Sequence, residues 1–522
     1  MSSSAPPEGS FRTRRFLGGA GLSLLNQGLV LLVSLWFTRF ALGRLGQHDY
    51  GLWLVGLQIV GYLGLLDLGV VALLPRETAF AAGRAASGAE PGGVAALLGD
   101  ATQLVLLQTP VLALLAVGAG ALVAGRWEGL LPAVSIILGA YVLAFPLRIF
   151  GATLQGLQDL AFLGWVSLGT WAAGTIVSIA MLLAGYGLLA LAAGWVVAQL
   201  SAPAAQWLRI RSRFPEALPK RVPRLAWPAA RRYLGRSLWV SLSQVTGLLI
   251  NGADVLIIAA ILGPSWVVPY VLTGKLVTVA ANVPYTIAHN AGPGLSEMRM
   301  RESRERLGEV TTALTQGVLV ASGLVAVVVL ALNQGFVRWW VGPAQFGGLR
   351  LSALFVALMM GRHWGTTLVY TAYSFGHERA SALIGIGEGL VAAGGALLLV
   401  PRIGIAGGVV GALVGAFCVT IPLTLHVVAR DVGGSIRRLL APLLPLAARL
   451  AVAAAAAALL GYLWTPGGLV GLIGAGLVLC ALYGLALRPQ ALRPPLRVYT
   501  IRALETISPR LARLRFFAAP GA

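Results

Sequence analysis

The sequence predicts an all-helical, polytopic membrane protein with about 14 transmembrane helices. Its composition, 57% hydrophobic and 11% charged residues, excludes an ordinary soluble protein. Long apolar segments recur along the chain, and each can cross a hydrocarbon layer of about 30 Å at about 1.5 Å per helical residue. The predicted spans are residues 17–42, 50–74, 94–124, 129–152, 161–185, 187–208, 235–262, 266–292, 307–333, 349–375, 379–400, 404–429, 443–465 and 468–487.

The basic residues predict how these spans are oriented. If the N-terminus is cytoplasmic, 31 of the 39 Lys and Arg residues lie on the cytoplasmic side, in the two ends, in alternate gaps and in the parts of the spans next to them. This asymmetry follows the positive-inside rule, so we expect both termini in the cytoplasm. It also accounts for most of the net charge of +21, so we expect no nucleic-acid partner. The first apolar segment is too long for a signal-peptide core, so we expect it to remain as a span.

A break in composition divides the chain into six spans and eight. The predicted parts are a cytoplasmic segment 1–16, an N-lobe 17–208, a basic linker 209–234, a C-lobe 235–430, two extra helices 443–487 and a basic tail 488–522. A faint repeat at an offset of 217 residues relates Asn26-Gln27 to Ser243-Gln244. Because six spans separate the copies, we predict two pseudo-repeated lobes that enter the membrane in the same direction, as suits a transporter.

The first two spans carry a recognisable motif. It comprises Gly43 and Gly46 in ALGRLGQHDYGLW, the run Tyr50-Gly51-Leu52-Trp53, the run Tyr62-Leu63-Gly64-Leu65-Leu66-Asp67-Leu68-Gly69, and Arg76 ahead of Ala79. This pattern resembles the polysaccharide (O-antigen type) flippases of the multidrug/oligosaccharidyl-lipid/polysaccharide exporter superfamily. The resemblance implies an inner-membrane flippase that moves an undecaprenyl-pyrophosphate-linked oligosaccharide by alternating access for surface polysaccharide biosynthesis. Membrane lipids and other polysaccharide assembly proteins are then the expected partners.

Three alternatives remain open from the sequence. A multidrug exporter of the same superfamily should have an acidic cavity, which the charges within the spans do not favour. A glycan polymerase or ligase generally needs a sizeable external domain, whereas several external connections hold only a few residues. A membrane scaffold would leave the buried charges unexplained. No phosphate-cradling motif is present, and the five histidines lack metal-ligand spacing, so we expect no enzyme activity, cofactor or metal site.

Charged residues within the spans are the candidate site, because a charge at bilayer depth costs about 2.5 to 3.5 kcal/mol unless it faces a cavity or a partner. A pyrophosphate headgroup needs cations to replace its water, and Arg offers a forked set of donors. The predicted cationic cavity residues are Arg362, Lys275, Arg148 and Arg39. The predicted coupling or ion-pair residues are Asp67, Asp254 and Glu388.

Two pairings are considered among these residues. Asp67 can titrate or hold Arg148, which lies at similar depth in another span. Asp254 and Lys275 each lie nine residues from an end of one external connection, which places both roughly 13 Å below the surface. They can neutralise each other, or Lys275 can bind the pyrophosphate. Prolines that can bend spans during alternating access are Pro110, Pro146, Pro269, Pro284 and Pro422.

Overall fold

A computed structural model of the chain describes residues 8–64, 69–88, 93–219, 246–247, 249–250 and 252–501. These residues form helices and short connections and contain no β-strand, which confirms the predicted fold class. The chain divides into two compact units, Met1–Val245 and Thr246–Ala522, which are described separately below. The predicted linker falls largely outside the described residues, as do residues 502–522 of the predicted tail, so these boundaries stay predictions.

The described part of the first unit contains seven α-helices. α1 contains a break at Gly46, whose φ of 78° and ψ of 172° separate two helical segments. A glycine adopts this conformation readily because it has no Cβ. The helices are α1 Glu8–Leu63, α2 Val70–Ala86, α3 Gly93–Ala124, α4 Leu131–Ala144, α5 Arg148–Gly156, α6 Leu160–Leu183 and α7 Leu188–Arg213.

The second unit contains the other twelve described helices. They are α8 Gly252–Leu262, α9 Val267–Ala280, α10 Asn282–Asn290, α11 Gly292–Arg301, α12 Arg304–Val341, α13 Leu349–Ser374, α14 Glu378–Ile403, α15 Ala406–Gly415, α16 Ile421–Asp431, α17 Ile436–Leu440, α18 Leu444–Leu463 and α19 Gly468–Ala491. Helices α12, α13, α18 and α19 surround its largest buried apolar cluster, which includes Leu330, Met359, Leu450 and Leu479.

Within the described ranges, ten helices are long and apolar enough to cross a membrane, or eleven if one bent pair counts as a single span. The protein is therefore a multi-pass membrane protein, although the predicted number of 14 is not confirmed. The second predicted span differs most from the structure, because helix α1 ends at Leu63 and α2 begins at Val70 and continues to Ala86. Gly69 precedes α2 with a φ of 70°, a left-handed conformation that interrupts a helix.

Three of the five singled-out prolines lie where a predicted span is irregular. Pro146 lies in a 3-10 turn between α4 and α5, and Pro284 follows a bend of 42° between α9 and α10. Pro422 follows a π-helical turn, Ala416–Thr420, that joins α15 to α16. Proline lacks the N–H that bonds to the carbonyl four residues earlier, so each site leaves a gap in the helical hydrogen bonds. Pro110 and Pro269 lie inside continuous helices.

Helices α14 and α15 form a close interface through small residues. A Cβ added to Gly411 would lie 2.5 Å from the Ala396 nitrogen and 2.6 Å from the Ala392 carbonyl oxygen. A Cβ on Gly395 would lie 2.9 Å from the Gly411 Cα. Such backbone contact is possible only without side chains, and it is a common way for helices to associate in membranes.

Candidate functional site

Arg362 projects from α13 towards the segment that precedes α8. Its Nη2 donates a hydrogen bond of 2.6 Å to the backbone carbonyl of Ile250, and the side chain is half-buried. Ile250 lies four residues, about one helical turn, before Asp254. The guanidinium also lies within electrostatic reach of the Tyr270 hydroxyl. Arg362, Asp254 and Tyr270 therefore form one polar cluster within the second unit.

Asp254 is paired with Tyr270 rather than with Lys275. One carboxylate oxygen accepts a hydrogen bond from the Tyr270 hydroxyl, and the other accepts one of 2.9 Å from the Val255 backbone. Gly408 of α15 packs against this pair, since a Cβ there would lie 3.2 Å from the Asp254 Cβ. No described residue forms a hydrogen bond or an ion pair with the half-buried Lys275. The considered neutralisation of Asp254 by Lys275 is thus absent from the structure.

Glu388 belongs to a separate contact, between α14 and the π-helical turn. Its side chain is 6% exposed, and its carboxylate accepts a hydrogen bond from the Thr420 hydroxyl. A Cβ on Gly415 would lie 2.7 Å from the Glu388 carbonyl oxygen, so α14 and α15 meet closely beside it. π-Helical turns are rare and frequently lie at functional sites.

In the first unit, the structure describes two of the predicted residues, Arg148 and Arg39, which lie on different helices. Arg148 begins α5 and donates a hydrogen bond of 3.1 Å to the Tyr141 hydroxyl of α4. That hydroxyl lies 3.4 Å from the place where a Cβ on Gly64 would be, close to the end of α1. Asp67, the considered partner of Arg148, lies outside the described residues. Arg39 is exposed on α1.

An open cavity of about 730 Å³ lies between α12, α13 and α18 of the second unit. Glycine and apolar side chains line it throughout, among them Ala326 and Leu330 of α12, Ala357 and Met360 of α13, and Ala451 and Ala455 of α18. Arg362 is not among the lining residues, although its neighbours Met360, Gly361 and Trp364 are. The cation and the apolar cavity thus lie on different faces of α13.

Sequence reasoning missed three polar residues that the structure brings into these contacts. Tyr270 lies four residues after Trp266 and Lys275 lies nine, so the depth comparison selected Lys275 and gave no reason to choose Tyr270. Thr420 carries no signal in the sequence beyond its position two residues before Pro422. His363 adjoins Arg362, but its buried partner Ser322 lies 41 residues away and no local pattern connects them.

Comparison with known proteins identifies a family for part of the chain. The family described as "Polysaccharide biosynthesis protein" matches residues 152–343, which include the end of the first unit and α8 to α12 of the second. No curated protein matches the sequence significantly.

Solved structures match over most of the chain. MurJ, a lipid II flippase in an inward closed conformation, has a TM-score of 0.59 and 12% identity, covering 90% of this chain and 100% of its own. An inward-facing multidrug resistance transporter of the MATE family has a TM-score of 0.52 and 13% identity, and the match covers 74% of this chain and 94% of the transporter. A third match is a MOP superfamily transporter from Pyrococcus furiosus, which is described as having a binding pocket of reverse polarity. It has a TM-score of 0.50 and 13% identity, and the match covers 79% of this chain and 94% of that transporter.

The chain therefore has the fold of the transporters of the multidrug/oligosaccharidyl-lipid/polysaccharide exporter superfamily. The match of residues 152–343 to a polysaccharide biosynthesis family is a separate likeness, found in the sequence. The resemblance to polysaccharide flippases, predicted from the motif of the first two spans, is confirmed.

Proposed function

We propose that the protein is a flippase that moves a polyprenyl-pyrophosphate-linked oligosaccharide across the inner membrane by alternating access, for surface polysaccharide biosynthesis. The observation that carries this proposal is the apolar cavity of about 730 Å³ in a chain matched to a polysaccharide biosynthesis family. A prenyl chain has no polar group to satisfy, so a cavity with an almost entirely apolar lining suits it. A flippase is a transporter, so no catalytic residue is proposed.

The charged residues support an anionic headgroup. Lys275 has an ammonium without a partner among the described residues, and Arg362 bonds to a carbonyl, which a phosphate oxygen can replace as the acceptor. The two buried or half-buried acids of the second unit that were predicted as site residues are each hydrogen-bonded, Asp254 to Tyr270 and Glu388 to Thr420. We infer that cations, rather than free carboxylates, contact the substrate. Arg148 and Arg39 are the corresponding candidates of the first unit.

A multidrug exporter is the second candidate, because two of the matched structures are described as multidrug resistance transporters. A small organic cation would need a free acidic group in the binding cavity. The hydrogen-bonded state of Asp254 and Glu388 favours the flippase, since neither carboxylate is left without a donor.

Complementation separates the two candidates. The gene is expressed in a strain that lacks its own polysaccharide flippase, and surface glycan and resistance to cationic dyes are measured in parallel. A flippase of matching substrate restores surface glycan and leaves dye resistance unchanged. Raised dye resistance without glycan export would favour the drug exporter.

A further inference from the structure

His363 is a fully enclosed histidine in the middle of the second unit. Its side chain is 1% exposed, and it lies on α13 between α12 and α10. The Nδ1 atom lies 2.7 Å from the Ser322 hydroxyl of α12. The ring meets that of Tyr285 edge-on, with centroids 4.7 Å apart and an angle of 90° between planes.

The contacts of Ser322 bear on which nitrogen of His363 carries the proton. The Ser322 hydroxyl lies 2.7 Å from the Val318 carbonyl, four residues earlier on the same helix. A hydroxyl has one proton, and a carbonyl can only accept, so when Ser322 donates to Val318 it accepts from Nδ1–H. In that arrangement the Nε2 atom carries a lone pair. It is buried and has no hydrogen-bond partner among the described residues.

The bend between α9 and α10 lies beside the imidazole ring of His363. The carbonyl of Ala281, the residue between the two helices, lies near the imidazole. That carbonyl accepts a long hydrogen bond of 3.4 Å from the Tyr285 backbone, which is a weak contact. Pro284 has no N–H and leaves the Ala280 carbonyl without its helical donor. The bend thus presents weakly used acceptors to the ring.

We propose that His363 is a proton-binding site, and that a proton taken up at Nε2 changes the bend between α9 and α10 during transport. Uptake converts the neutral imidazole to an imidazolium and adds an N–H that can donate to the Ala281 carbonyl in place of the Tyr285 backbone. The proposal rests on the proposed function, since it assigns a coupling ion to that transport cycle. A conformation that exposes the ring to water binds the proton more tightly than the closed one, because burial disfavours the charge.

The charged surroundings do not hold the proton in the enclosed state. Helix α12 has no titratable residue between Glu309 and Arg338, and α10 contributes Tyr285, which touches the ring. His289 of α10 instead meets Tyr370, with ring centroids 5.4 Å apart, and Arg362 of α13 bonds to Ile250. Lys275 of α9 lies six residues before Ala281 and, as a cation, would oppose a second positive charge. His363 should therefore release its proton when the ring becomes enclosed.

The direct test is a histidine titration by nitrogen-15 NMR on the full-length protein in lipid nanodiscs. The variant His363→Asn identifies the signal among the five histidines, and its amide can still donate to Ser322. We expect a Nδ1–H tautomer at high pH that becomes doubly protonated within about pH 5–8, the ordinary range of histidine switches. The titration is measured while the protein samples both conformations, because the enclosed ring is expected to stay neutral. If no doubly protonated signal forms anywhere in this range, the proposal is overturned.

A transport measurement tests the coupling. Wild-type flipping rates should change about tenfold across that pH range, because the protonated and neutral forms of a coupled histidine flip substrate at different rates. The variant His363→Asn cannot take up this proton, so its rate should not depend on pH in the same way. His289→Asn, an exposed histidine of α10, is the matched control and should keep the wild-type profile. An unchanged profile in His363→Asn refutes the coupling alone. If the wild-type protein moves no lipid-linked oligosaccharide at any pH, the proposed function fails, while the titration still decides the proton site.

Discussion

The hydroxyl of Tyr270 donates a hydrogen bond to the carboxylate of Asp254, across the connection between α8 and α9. Since the second carboxylate oxygen accepts from the Val255 backbone, both oxygens of Asp254 are occupied. This arrangement leaves the Lys275 ammonium without a counter-charge among the described residues. Asp254 therefore has a role in fixing the hairpin, and Lys275 is the group with a charge available to a ligand.

Because Asp254 does not neutralise Lys275, removing both charges should not restore function. We expect Lys275→Ala to lower glycan export at least tenfold, and the double variant Asp254→Ala with Lys275→Ala to be no better. If the two charges formed a pair, the double variant would instead recover export, since a lone buried charge is worse than none. The measurement is surface polysaccharide in a flippase-deficient strain, normalised to membrane protein level.

Arg362→Ala should abolish export in a protein that is inserted and abundant, because the forked donor set that can receive a phosphate is lost. Arg362→Lys should recover only part of the export, since a lysine keeps the charge without the fork. Arg402→Ala is the matched control: this exposed arginine of α14 bonds to the Leu398 carbonyl of its own helix at 3.0 Å. Wild-type export by Arg362→Ala at equal abundance would remove Arg362 from the site.

Two glycines of the α14–α15 region should respond oppositely to alanine. Gly411→Ala forces a methyl group against the Ala396 nitrogen and the Ala392 carbonyl oxygen, so we expect a loss of about 1–3 kcal/mol in stability. Gly394 has nothing within 4 Å of an added Cβ, so Gly394→Ala should be neutral or stabilising by up to about 1 kcal/mol. Thermal unfolding of the purified proteins in one detergent compares them. Equal melting temperatures would contradict the packing described here.

Reporter fusions test the orientation predicted from the basic residues. Fusions after Gly88, Arg213 and Arg304 should report a cytoplasmic location, and fusions after Gly46 and Gly263 an external one. The basis is the unequal distribution of Lys and Arg between the two sides. A periplasmic signal from the Arg213 fusion would reverse the orientation.

Hydropathy predicted most of the helices because a span needs only length and apolar composition, both of which are local. Where hydropathy gave wrong span bounds, the cause is also a single residue in the chain. The second predicted span, 50–74, ran through Gly69, whose left-handed conformation separates α1 from α2. The break near Pro284 was anticipated from the missing N–H, but neither its angle of 42° nor the continuity of α3 through Pro110 follows from a proline alone.

The candidate site was less predictable, since hydrogen-bond partners depend on which faces of distant helices meet. Depth alone pointed to Lys275 as the residue opposite Asp254, and only the packing of α8, α9 and α15 selects Tyr270. The partners of His363 and Glu388, which are Ser322 and Thr420, lie 41 and 32 residues away in sequence. The periodicity of apolar residues within one helix cannot show which residue of another helix is the hydrogen-bond partner.

The apolar cavity provides a variant pair for testing the substrate's lipid tail. Ala357→Trp places an indole in the cavity, where Ala357 lines α13, so we expect flipping to fall at least tenfold. Ala456→Trp adds the same group to an exposed position of α18 outside the lining and should leave flipping unchanged. Equal rates in the two variants would show that the cavity does not hold the tail.

The most direct measurement of the central claim is flipping in proteoliposomes that contain the purified protein and a fluorescent polyprenyl-pyrophosphate-linked oligosaccharide. A membrane-impermeant reagent quenches the label in the outer leaflet, so the accessible fraction reports movement between leaflets. We predict that the wild-type protein raises this fraction over time, and that Arg362→Ala gives the rate of protein-free vesicles. A wild-type rate equal to that of empty vesicles, for every lipid-linked glycan of the host strain, would contradict the account.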